Sequence, residues 1–148
     1  MKLTHSLASS AMVALAIVTL AACQTEPRGE LYCATSASSA SKDVVALAVD
    51  EFCAIHNGHV MNKYESIWNT MSVQDGGHVK LNIFYAGTAT YGIASEACDK
   101  EFEAVLNGCN KDGGTTEGGN YLAQIGTVYY MMTVNPPADQ QTSGTYPA

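Results

Sequence analysis

The apolar positions of the chain fall into blocks whose period changes. Val45, Ala48, Val49, Phe52 and His56 recur at helical spacing, with N-cap candidates in Ser36–Ser41 and a stop at Asn57-Gly58. A second helix is predicted from an N-cap at Ser95 to Asn107-Gly108. There Cys98, Phe102, Val105, Leu106 and Cys109 share one face, and Glu96 puts a carboxylate in the first turn, where the helix dipole favours it. Between these helices, Val60–Tyr64, Ser66–Ser72 and Val79–Tyr85 are rich in β-branched and aromatic residues. In the last run Val79, Leu81, Ile83 and Tyr85 alternate with Lys80, Asn82 and Phe84, and Gln74-Asp75-Gly76-Gly77 is a hairpin signal. Leu31–Thr35 fits a short edge strand, while Tyr121–Ile125 and Thr127–Val134 read as strands after the second helix. The order β-α-β-β-β-α-β-β predicts an α+β fold. Its expected form is an antiparallel sheet of roughly four to six strands packed with two main helices as an α/β sandwich.

The ends of the chain differ from its middle. Ala11–Ala22 is continuously apolar or small. As a helix it would rise only about 18 Å, too short to span a bilayer, so residues 1–23 read as a signal peptide. Leu20-Ala21-Ala22-Cys23 suits both an ordinary signal-peptidase site and a lipobox. The expected destination is therefore secretion, with a lipid anchor through Cys23 as the alternative. Residues 24–137 form one expected domain, and 138–148 a polar tail expected to be disordered.

Charge and cysteines narrow the class. The 148 residues carry 7 basic and 14 acidic side chains, a net charge of −7, with Arg28 the sole arginine and no Lys/Arg run. That argues against nucleic acid as a partner, and against a membrane unless Cys23 is lipidated, because neutralising phosphates takes clustered cations. Beyond Cys23 stand Cys33, Cys53, Cys98 and Cys109, an even set that fits two disulfides in an oxidising space. No CxxC spacing suggests zinc. Cys98 and Cys109 lie on one predicted helix about 16 Å apart, beyond disulfide reach. The pairing is thus Cys33–Cys98 with Cys53–Cys109, or Cys33–Cys109 with Cys53–Cys98.

The chain then resembles a family. Cys33 opens the domain and Cys53 follows a first helix; Lys80-Leu81-Asn82-Ile83 precedes Gly87-Thr88. Ser95-Glu96-Ala97-Cys98 starts a helix ending Val105-Leu106-Asn107-Gly108-Cys109, with Gly113-Gly114 and an aromatic strand into Asn135-Pro136 beyond. Over Tyr32–Pro137 this resembles the fungal glycan-binding protein Y3-like domain, a family of small secreted lectin-like proteins. The resemblance implies binding to glycans or glycoproteins, no cofactor and no catalysis.

The residues can be weighed directly against that expectation. Sugars are held by aromatic rings stacked on C–H-rich faces and by amides fixing hydroxyls. Trp68, Tyr91, Asn69, Asn82, Tyr85 and Tyr130 are the foremost candidates, with Tyr121, Tyr129, Asp75 and Asn120 beside them. Most aromatics in so small a domain fill its core. Trp68 and Tyr91 have polar or turn-forming neighbours, although Ile67-Trp68-Asn69-Thr70 fits two registers, one with Trp68 outward and one inward. His56 and His59 are separated by a helix stop and have no third ligand, so no metal site is expected; His78 sits in a distant turn. A small secreted ribonuclease would need a cation for its phosphorane, yet Arg28 lies in a loose lead-in and the lysines are scattered. A glycosidase needs facing carboxylates, whereas Glu96, Asp99, Glu101 and Glu103 share one helix. Gly113–Gly119 lacks the context of a phosphate cradle. The alternatives are a secreted protein-interaction molecule, such as an effector, toxin-like protein or inhibitor, and behind it the small secreted ribonuclease. A lectin predicts a cleft with an exposed aromatic beside Asn or Asp, an interaction protein a flatter apolar patch.

Overall fold

The computed structural model describes residues 29–35, 38–74, 77–110, 113–123, 127–136 and 143–146. Residues 1–28, with the expected signal peptide, Cys23 and Arg28, lie outside these residues, as do Asp75 and most of 138–148. In chain order the elements are β1 (Glu30–Cys33), β2 (Ala40–Ser41), α1 (Lys42–Ile55), β3 (Val60–Met61), β4 (Ser66–Ser72) and β5 (His78–Tyr85). They continue with β6 (Tyr91–Gly92), α2 (Ser95–Gly108), β7 (Thr115–Thr116), β8 (Gly118–Leu122), β9 (Val128–Val134) and β10 (Gly144–Tyr146).

Alternation along the strands decides the architecture. In β5, Val79, Leu81, Ile83 and Tyr85 are buried while His78, Lys80, Asn82 and Phe84 are not, the period of a sheet covered on one face. Its register carries that polarity to its neighbours: Ile67 and Tyr130 both oppose Ile83, and Trp68 and Met131 both oppose Asn82. Six strands join in the order β1-β8-β9-β5-β4-β10, each pair antiparallel. Two short ribbons, β2 with β7 and β3 with β6, lie beside this sheet. The fold is α+β, as the element order predicts.

Both helices pack on one sheet face. From α1, Val45, Val49, Phe52 and Cys53 enter the core; from α2, Cys98, Phe102, Val105 and Leu106 do so. Phe102 meets Phe52 edge-on at 5.7 Å and Tyr130 at 5.2 Å, so three aromatic rings join the two helices to the central strand β9. The disulfides are Cys33–Cys109 and Cys53–Cys98, the second of the two pairings compatible with a helix over Cys98–Cys109. Cys53–Cys98 ties the helices to each other, and Cys33–Cys109 ties the edge strand β1 to the end of α2.

Three boundaries differ from expectation. Ser95 is the first helical residue and Ala94 occupies the cap, with no side-chain cap bond. Residues Asn62–Tyr64 leave the strand because Tyr64 takes φ 63°, turning the chain into β4. In the tail, Gly144–Tyr146 is not disordered: it pairs with Trp68–Ser66 along the edge of β4. A bare sheet edge offers unpaired N–H and C=O groups to any extended segment within reach, whatever its hydrophobicity.

Candidate functional site

With both helices on one side, the other sheet face carries the side chains that β4, β5, β9, β8 and β1 turn away from the core. The register sets them in rows. One row runs Trp68, Asn82, Met131, Asn120 and Tyr32; the next runs Ser66, Phe84, Tyr129, Leu122 and Glu30. Phe84 and Tyr129 lie 5.8 Å apart between ring centroids and, like Met131 and Leu122, are half-buried.

The sheet is indented where β1 ends. A recess of about 280 Å³ is lined by Tyr32, Glu117, Gly119, Asn120 and Thr133 among others. Gly119 lets β1 and β8 close on each other. A Cβ there would stand 2.5 Å from the Tyr32 carbonyl oxygen and 2.9 Å from Cys109 Sγ. Tyr32 is 60 % exposed and opposes Asn120 in the ladder, so an open ring stands beside an amide. Its hydroxyl donates to Glu30 Oε2 at 2.7 Å, and that hydrogen bond, more than the carboxylate's charge, raises the phenol above its ordinary range. The nearby Tyr129 phenol adds to the same shift. Tyr32 thus keeps its proton, its tip held and its faces accessible.

The residues singled out from sequence are divided between the two faces. Trp68 and Asn82 stand on the open face. The outward register of Trp68 is the one adopted, yet Trp68 is only 8 % exposed, because the Gly144 backbone lies against its indole. Lys80 Nζ also sits 5.8 Å from the Trp68 ring centroid. Asn82 Oδ1 accepts from Ser66 Oγ at 3.0 Å. Asn69 faces the helices, where His56 supplies a hydrogen-bond partner for the half-buried amide.

Tyr85, Tyr91 and Tyr130 form a separate core cluster. Tyr85 stacks on Tyr91 at 5.5 Å, and the Tyr91 and Tyr130 hydroxyls share a 2.7 Å hydrogen bond. Tyr130 is fully buried, and burial foremost, then the Tyr91 hydrogen bond, pushes its phenol far above its ordinary range. These three rings brace the β6 segment against the sheet and offer a ligand little or no free face. Tyr121 also faces the helix layer, its hydroxyl accepting from Gly29 N–H at 3.1 Å. Asn120 and Tyr129 are on the open face. Tyr32 was missing from the sequence candidates, although Glu30-Leu31-Tyr32-Cys33 alternates and Cys33 must join the helix layer.

The titratable groups are scattered. His59 Nε2 lies 2.8 Å from Oε1 of the buried Glu65, whose Oε2 accepts from Asn62 N–H at 2.8 Å. Burial pushes Glu65 up, but the Asn62 and His59 hydrogen bonds and the His59 charge outweigh it, leaving the carboxyl below its ordinary range. His56 stands 6.4 Å from His59 between ring centroids, with Nε2 buried and unpartnered; burial chiefly lowers its pKa. His78 is at the far end of β5 from Tyr85, the residue that bonds Glu65, roughly 23 Å along the strand. Among the described residues no group of three His, Cys, Asp or Glu side chains could hold a metal ion. Ser95, Glu96, Asp99, Lys100 and Glu103 line a further recess, of about 530 Å³, whose groups all come from α2. There burial first, then the Asp50 charge, raises Asp99.

No family model matches the chain, and no curated protein matches it. Among the described residues no helix is long and apolar enough to cross a membrane.

Proposed function

We propose that this is a secreted, non-catalytic glycan-binding protein whose ligand occupies the recess at Tyr32 and Asn120. One observation carries the reading: a 60 % exposed ring beside an amide in a recess also lined by Thr133 and Glu117. That set supplies what a saccharide needs, an apolar plane for its C–H face and donors and acceptors for its hydroxyls. The resemblance to the Y3-like domain family supports the same reading from sequence. Two disulfides fit an oxidising compartment, and the apolar leader supports export.

The test is a glycan array on the oxidised protein, followed by titration of any hit against Tyr32→Ala and Asn120→Ala. Tyr32→Ala is expected to weaken binding by about 1–3 kcal/mol, by analogy with aromatic–base stacking. Its melting temperature should move by less than roughly 2 °C, since an exposed ring contributes little packing. Binding unchanged in both variants excludes this recess.

A second reading has its own observation. Leu47, Ile55, Val60 and Tyr64 are 55–61 % exposed. Such residues suit a protein partner, and a Leu47→Glu/Ile55→Glu variant that lost partner binding while keeping saccharide binding would favour it.

A further inference from the structure

We infer that the ligand of this face is a neutral, extended β-linked polysaccharide that crosses the strands and is read at two points one disaccharide apart. The inference rests on the glycan-binding reading and names its ligand class.

Three features of the open face converge on it. Apolar groups form a continuous row. Phe84, Tyr129 and Leu122 are successive partners across β5, β9 and β8, and Tyr32 on β1 extends the apolar surface to the sheet edge. Beside that row lies one with amides: Asn82, Met131 and Asn120 are successive partners across the same three strands. The two amides therefore stand two inter-strand steps apart, about 9–10 Å at roughly 4.8 Å a step. In an extended β-1,4-linked hexopyranose chain each unit is turned over relative to the last, so the same ring edge returns every second unit at a repeat of about this length. One sugar edge can meet Asn120 and the edge two units on can meet Asn82, while the single intervening ring lies over Tyr129 and the ring edged by Asn82 over Phe84. An α-1,4-linked glucan chain coils and does not keep this register on a sheet.

The charges of the face select against charged chains. Among its described strand residues, the permanently charged ones are Glu30 and Lys80. Glu30 is bonded to the Tyr32 hydroxyl, and Lys80 turns its ammonium towards Trp68, away from β8. The span between Tyr32 and Phe84 thus presents the uncharged side chains of Asn120, Met131, Leu122 and Tyr129, and Glu117, which also lines the recess, disfavours anionic chains.

Calorimetric titration of the oxidised protein with chitin and cello-oligosaccharides, from the monosaccharide to the hexasaccharide, tests the inference, with malto-oligosaccharides as the α-linked control. Affinity for at least one β-linked series should rise about tenfold from disaccharide to tetrasaccharide and then level off. Asn82→Ala and Phe84→Leu should each flatten that rise to under about threefold. A flat length series, an equal rise with malto-oligosaccharides, or a rise untouched by both variants overturns the extended-chain inference and leaves the glycan reading standing. No binding of any saccharide at any length, on the array or in solution, overturns both.

Discussion

Breaking Cys33–Cys109 separates what frames the recess from what holds the core. β1 is exposed at all four residues and pairs only with β8. Its other ties include the Gly29 N–H to Tyr121 hydroxyl bond at 3.1 Å, the packing of Leu31 against Gly108, and the disulfide to the end of α2. That disulfide closes a separation of 76 residues. In the chain-entropy account such a closure is worth about 4.5 kcal/mol, and the 45-residue separation of Cys53–Cys98 about 4 kcal/mol. The entropic contributions are nearly equal, but their places differ, since Cys53 and Cys98 are 0 % and 1 % exposed between the helices. The Cys33→Ala/Cys109→Ala variant should lose about 4 kcal/mol of stability, roughly 12–20 °C in Tm for a domain of this size. Its β1 amides should lose hydrogen-exchange protection before those of β5 and β9. Saccharide affinity should fall about tenfold or more, because Tyr32 loses its frame. The Cys53→Ala/Cys98→Ala variant should lose similar or greater stability yet, while folded, bind within about twofold of the parent. Calorimetry, exchange mass spectrometry and titration below the lower Tm read these outcomes. Equal affinity losses in the two variants, or full affinity in the first, refute the idea that the bridge holds the site.

Three further outcomes follow from the geometry. Gly119→Ala places a methyl 2.5 Å from the Tyr32 carbonyl oxygen and 3.0 Å from Cys33 Cα, neither able to yield, so it should destabilise by about 2 kcal/mol or more in thermal unfolding and weaken saccharide binding too. Tyr91→Phe leaves the hydroxyl of the fully buried Tyr130 without its partner and should cost about 1–3 kcal/mol by denaturant titration; Tyr130→Phe leaves only the half-buried Tyr91 hydroxyl and should cost less. Burial lowers the His56 pKa below the ordinary 6.5, so the unfolded chain takes the proton first. Stability should then be full above pH 6.5 and fall as pH drops through the lower folded value. His56→Gln should flatten that limb in a urea series run at several pH values, and an unchanged limb would show that another group sets it.

The sequence carried the element types and hid most of the pairings, for reasons that differ residue by residue. β5 alternates cleanly, so its inward and outward sets could be assigned without a partner. β9 reads Val-Tyr-Tyr-Met-Met-Thr-Val, apolar at successive positions, and period two alone cannot say which tyrosine turns inward. Register with β5 settles it: Tyr130 opposes the buried Ile83 and Tyr129 the outward Phe84. Asn69 turns to the helix side because its hydrogen-bond partner there, His56, caps α1 thirteen residues earlier, a pairing the strand sequence cannot show. The outward turn of Trp68 is readable from alternation; its burial is not, since the covering strand Gly144–Tyr146 comes from a tail without hydrophobic period. Tyr32 is the opposite case. Both pairings compatible with the second helix tie Cys33 to that helix, because Cys98 lies on it and Cys109 caps it. A strand residue bonded into the helix layer forces its neighbour to the other face, so Tyr32 must point outward whichever pairing holds. Its outward orientation was therefore available from cysteine spacing alone. Its companions Asn120 and Thr133 were not, because they reach it only through the order β1-β8-β9, which joins strands from opposite ends of the chain.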